Sequence, residues 1–121
     1  VSSITSLEST FNVAKVFNQN ISGWDVSSVT SLSVTFHTAE PFNYDLSNWD
    51  VSSVTDLNLT FYGAVVFNGD ISRWDVSSVT SFYRTFNLAV KFNQCLQWSL
   101  MKGADTRFMF QHSDGRLEPC N

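Results

Sequence analysis

Asp25, Asp50 and Asp75 recur every 25 residues, each between a Trp and the run Val-Ser-Ser. A row of carboxylates is the nearest thing in this chain to a metal site. Pointing outward from successive strands about 4.8 Å apart, they would repel one another unless each had a partner, and such a row could collect Ca²⁺. Calcium, however, takes about six to eight oxygens arriving from several directions, which one column does not supply. The favoured reading is an Asx-type turn, in which each Asp accepts bonds from the Ser residues that follow it. No metal is assigned. The threonines Thr5/Thr30/Thr55/Thr80 and Thr10/Thr35/Thr60/Thr85 also form columns. An ice-binding array needs Thr two apart on one strand; these columns are five apart and suit capping and flank packing of a helix. His37 and His112 lie far apart without Cys or Asp partners at motif spacing. No zinc, nucleophile-elbow or phosphate-loop motif occurs. The chain reads as no enzyme and needs no cofactor.

Composition narrows the classes further. Seven basic against eleven acidic residues leave a net charge of −4 with no basic run, so binding to nucleic acid through phosphates is excluded. No apolar stretch approaches the roughly 20 residues of a membrane-spanning helix. The chain is sized for one domain, and it opens inside a repeat without Met, which suggests a processed protein or a piece of a longer one.

What positions the Asp column is the repeat around it. WDVSSVT occurs at 24–30, 49–55 and 74–80, and a fixed period in this range means stacked repeats. Units 1–25, 26–50, 51–75 and 76–100 are followed by a capping segment over 101–121. Apolar columns run through all four units, among them Ile21/Leu46/Ile71/Leu96, Trp24/Trp49/Trp74/Trp98, Leu7/Leu32/Leu57/Phe82, Phe11/Phe36/Phe61/Phe86 and Phe17/Phe42/Phe67/Phe92. Trp24 inward, Asp25 outward and Val26 inward is the alternation of a short strand. Leu7, Phe11, Ala14 and Phe17 are spaced 4, 3 and 3, which predicts a helix, stopped near Ala39 in the second unit by Pro41. The expected fold is α/β: a right-handed solenoid like leucine-rich repeats, with one short strand and one short helix per coil and a C-terminal cap. Asn18, Asn43, Asn68 and Asn93 should form an inward ladder bonding loop backbone between coils.

The register slips after Phe92, and the next column Phe, Phe110, comes 24 residues after Phe86. Cys95 and Cys120 are 25 apart, one repeat length, which sets them above one another on the last two coils. A disulfide there staples the cap and implies an oxidising compartment; two buried free thiols are the alternative.

FNQNISGWDVSSVTSLSVTF (17–36) and FNGDISRWDVSSVTSFYRTF (67–86) resemble the BspA-like, Mycoplasma-type surface-protein repeat, whose units read F-N-Q-D-I-S-x-W-D-V-S-x-V-T-x-M-x-x-M-F. The resemblance covers residues 1 to 100. It departs where the family's second Met is replaced by Thr10, Thr35, Thr60 and Thr85, and its first by Leu or Phe. It implies a leucine-rich-repeat-like solenoid in secreted or surface-displayed proteins used for adhesion or protein interaction, without catalysis.

Two function readings follow. In the first, the strand face, with Arg73 and the columns Asp25, Asp50 and Asp75, engages a protein partner outside the cell or at its surface. In the second, the outer helix face docks the chain as a structural or linker subunit into a larger complex. That face should be charged but carries Val13, Val34, Leu59, Val66 and Leu88. A segment that is not helical would redistribute these side chains.

Overall fold

The computed structural model describes residues 4–120. The 25-residue period becomes a stack of coils. Parallel single-residue bridges join Ser6 to Ser31, Ser31 to Asp56, Asp56 to Ser81 and Ser81 to Asp105. Segment 101–120 continues the stack as a shorter fifth coil, and its end pairs β2 (Arg116–Leu117) in parallel with β1 (Cys95–Leu96).

The expected helix is absent. Among the described residues there is no helix, and the strands are those two short pieces in the last coils, so the leucine-rich-repeat-like α/β solenoid is overturned. The backbone bonds give the reason. In segment 7–17 the amides of Thr10, Asn12, Ala14 and Phe17 each donate to the carbonyl three residues back. The amides between them donate upward instead: Leu7 to Ser31, Ser9 to Ser33, Phe11 to Thr35 and Val13 to His37, at 2.7–3.2 Å. A helix would spend every amide within its own segment. Here half of them stitch one coil to the next.

These linked four-residue turns require left-handed backbone at two columns. Positive φ occurs at Ser9, Val34, Leu59, Arg84 and Phe108, and again at Val13, Thr38, Gly63, Leu88 and His112. For branched residues such as Val13 and Val34 this conformation is costly, and the surrounding ladder must hold it in place. Gly63 is the one column member for which it is free of that cost. The strand expected over Trp24–Val26 is likewise replaced by turns, with Trp24 N–H donating to Ile21 and Val29 N–H to Val26.

The columns read from the sequence fill the interior. Phe36, Phe61, Phe86, Phe42, Phe67 and Phe92 are wholly buried. Phe11, Phe36, Phe61, Phe86 and Phe110 form a ladder of near-parallel rings with centroids 5.4–5.6 Å apart. A second ladder, Phe17–Phe42–Phe67–Phe92, runs beside it at 5.8–6.2 Å, and rings touch between ladders within each coil at 4.0–4.4 Å. Offset stacking of this kind adds about 0.5–1.5 kcal/mol per pair beyond area burial. The indole N–H groups of Trp49, Trp74 and Trp98 each reach down to the carbonyl of Ile21, Leu46 or Ile71 in the coil below, at 3.0–3.2 Å. Close approach between coils also explains Gly69, whose missing Cβ would overlap the Tyr44 carbonyl.

Thr35, Thr60 and Thr85 are fully buried, not on a helix flank. The Thr60 hydroxyl lies 3.0 Å from the Leu32 carbonyl below and 2.8 Å from Leu57 in its own coil. Both carbonyls keep other donors, Thr35 on Leu32 and Thr85 on Leu57. Thr60→Val therefore removes one hydrogen bond without stranding its acceptors, and should lower unfolding free energy by about 1 kcal/mol in urea denaturation.

Candidate functional site

Asp25, Asp50 and Asp75 are exposed, each closing its own turn. Asp25 Oδ1 accepts from the Ser27 hydroxyl at 2.6 Å and the Ser27 amide at 3.0 Å, and Ser52 and Ser77 repeat this on Asp50 and Asp75. These bonds, the hydroxyl's first, hold the three carboxyls below the usual Asp range. Among the described residues no group of His, Cys, Asp and Glu is arranged to hold a metal ion. Asp105 is held lower still, at about 2, by the Arg107 side chain, which bonds both its oxygens and closes an ion pair at 2.8 Å.

A depressed carboxyl pKa contributes stability above the unfolded value of 3.8, lost as pH falls through the folded one. The urea midpoint should hold down to about pH 4 and then fall towards pH 2. Asp75→Ala should flatten that descent. A parental profile already flat over this window would mean the turns do not stabilise the fold.

The asparagine ladder forms in part. The Asn68 amide donates to Asn43 Oδ1 at 2.7 Å and its side chain to Asn93 Oδ1 at 3.1 Å, but these side chains are exposed rather than inward. His37 is half-buried against Tyr62, ring centroids 4.8 Å apart, and burial lowers its pKa.

The apolar positions expected on an outer helix face lie on the turns instead. Val34 and Leu59 are half-buried in one left-handed column, and Val13 and Leu88 are 50% and 36% exposed in the other. Val66 and Val16 share a third, neighbouring column, at 37% and 92% exposure. Arg73 is exposed on the turn before Trp74, away in sequence from these turns. The structure thus places the apolar set on segment 7–17 of each unit and the Asp column on the segment after each Trp, as two separate strips.

A further cluster was not anticipated from the sequence. The Arg84 guanidinium lies 5.3 Å from the ring centroids of both Tyr83 and Phe108, and Arg107 lies 5.2 Å from Tyr83. Phe108 is half exposed, and Arg84 Nε is buried without a partner. Its signal was the 24-residue step into the last coil, which sets Arg107 over Tyr83 and Phe108 over Arg84. No pocket opens anywhere among the described residues.

The repeat that builds these strips is shared with other proteins. The family model described as Mycoplasma protein of unknown function, DUF285, matches residues 1–98 and again 46–116. The chain belongs to this family. Matches over two overlapping stretches are natural for a family built of repeats. No curated protein and no solved structure matches the chain. The family's function is unknown, so membership by itself assigns no activity. Cys95 and Cys120 are joined by a disulfide with Cα atoms 5.6 Å apart, and no free cysteine is present among the described residues. Among the described residues no helix is long and apolar enough to cross a membrane.

Proposed function

We propose that this family member is a non-catalytic repeat module for protein–protein interaction or adhesion, carried on a secreted or surface-displayed protein. The observation that carries the reading is the row of apolar side chains left partly or wholly exposed in adjacent columns on the turns of successive coils. Contiguous exposed apolar surface marks an interaction site more often than a solvated face. Arg84 and Phe108 stand in the column of Val34 and Leu59, with Tyr83 beside them, and the three offer residue types that anchor interfaces. The likeness to BspA-like surface repeats and the disulfide both favour an oxidising, extracellular setting.

Val34→Asp/Leu59→Asp/Leu88→Asp tests this cleanly. All three positions have positive φ, which Asp tolerates better than a branched or bulky residue, so the variant should keep its near-UV circular dichroism. Immobilised parent chain should retain a defined set of extracellular-matrix or cell-surface proteins, and the folded triple variant should lose them. An unchanged set would mean that this strip is not the interface.

A further inference from the structure

Arg84 is a cation to which its own chain gives no counter-charge. Its guanidinium sits in a corner between two rings, 5.3 Å from the centroids of both Tyr83 and Phe108. The rings themselves stand at 76°, with centroids 6.1 Å apart. The side chain is half-buried: Nε is covered and has no acceptor, while the Nη groups remain open to solvent. Among the described residues Arg84 joins no ion pair. Asp105 in the coil above cannot serve, since Arg107 holds both its oxygens. No end of the stack produces this state. Arg84 has a coil on either side, with Leu59 below it and Phe108 above it in the same left-handed column.

The surroundings say what would bind. Leu59 is half-buried in that column, and Leu88, 36% exposed, stands in the neighbouring one. Each of these leucines also lies between two coils. The other guanidinium against Tyr83, that of Arg107 at 5.2 Å, is already paired with Asp105 at 2.8 Å. The cluster therefore has one unpaired charge beside apolar side chains. A single carboxylate matches it in charge and in the planar, two-pronged geometry that a guanidinium offers. A polyanion would need several cations together, and would meet Asp105 and a net charge of −4. Partial burial of the guanidinium lowers what it loses in water on binding and strengthens the bond formed.

We propose that the segment recognised on this strip is an apolar peptide carrying one Asp or Glu. Its carboxylate bonds the Arg84 Nη groups, and the apolar side chains on either side of it cover Leu59 and Leu88. The proposal rests on the reading of the strip as a protein interface and names the chemistry of its partner.

The test is a nuclear magnetic resonance titration of the oxidised, ¹⁵N-labelled 121-residue chain. The probes are two capped tripeptides, acetyl-Leu-Glu-Leu-amide and acetyl-Leu-Gln-Leu-amide. The Glu peptide should move the Arg84 Nε–H signal and the Leu59 and Leu88 amides together, binding about fivefold or more tighter than the Gln peptide. Arg84→Gln should abolish that preference with the remaining amide signals in place. On the parent chain, raising salt from about 0.02 M to about 0.5 M should shrink it, a check that does not depend on the variant. Equal binding of the two peptides through Leu59 and Leu88 would overturn the proposal and leave the strip standing as an apolar interface. Shifts at Arg84 with Leu59 and Leu88 unmoved would overturn it together with the reading on which it rests. Binding of neither peptide, or of a heparin-derived oligosaccharide in preference to both, would also overturn it.

Discussion

Phe61→Ala should lower the unfolding free energy by about 3–5 kcal/mol. Phe61 is wholly buried at the centre of the first ring ladder, stacked on Phe36 at 5.4 Å and Phe86 at 5.6 Å. It also stacks on Phe67 at 4.1 Å and tilts against Trp74 at 6.2 Å. Truncation costs the transfer free energy of the ring plus the cavity left behind, and the second depends on whether the site can collapse. Here collapse is blocked. The coils are held apart by backbone bonds on both sides, Phe36 amide to Thr60 and Phe61 amide to Thr85, each 2.9 Å. Phe11→Ala is the internal control. Phe11 is half-buried, with a ladder neighbour on one side only, so its loss should fall well below that of Phe61. Urea denaturation of the two variants checks the difference. Equal losses would mean that the ladder is a row of independent residues rather than a continuous core.

That contrast also shows which parts of the structure were legible in the chain. The columns could be read because repetition inside one sequence exposes them directly, and Phe61, Trp74 and Ala64 are buried as their columns require. The backbone between them could not be read by period. Spacings of 4, 3 and 3 at Leu7, Phe11, Ala14 and Phe17 arise from helical turns, but linked four-residue turns, with bonds three residues back, produce them as well. One residue did carry the distinction. Gly63 shares a column with Val13, Thr38 and Leu88, and glycine inside a helix is unfavourable whereas at positive φ it is favoured. The helix also hid the role of Thr35, Thr60 and Thr85, since threonine within a presumed helix reads as packing on its flank. In the stack their hydroxyls are buried between coils. For the candidate site, the apolar positions lie on linked turns rather than on the outer helix face that the period had implied. The Arg84–Phe108 contact was missed because it depends on the 24-residue step rather than the 25-residue period.

Reducing the Cys95–Cys120 disulfide, or replacing both residues by Ser, should cost about 3 kcal/mol, because the bridge closes a loop of 25 residues in the unfolded chain. The loss should not be shared evenly along the stack. The last coil is weakly anchored: over 101–120 only Met109 and Gly115 are buried, whereas the three coils directly below it bury several large side chains each. Stability in stacked repeats is close to a sum of unit and nearest-neighbour terms, so a weak terminal unit opens first once its tether is cut. The amides that report this are those of Arg84, Phe86 and Leu88, which donate to Arg107, Met109 and Gln111 in the last coil. Their hydrogen exchange should quicken on reduction. The amides of Val34 and Phe36, bonded to Asn58 and Thr60 two coils further down, should keep their protection. If exchange instead rose equally in every coil, the stack would unfold as one unit and the bridge would act only by restricting the unfolded chain.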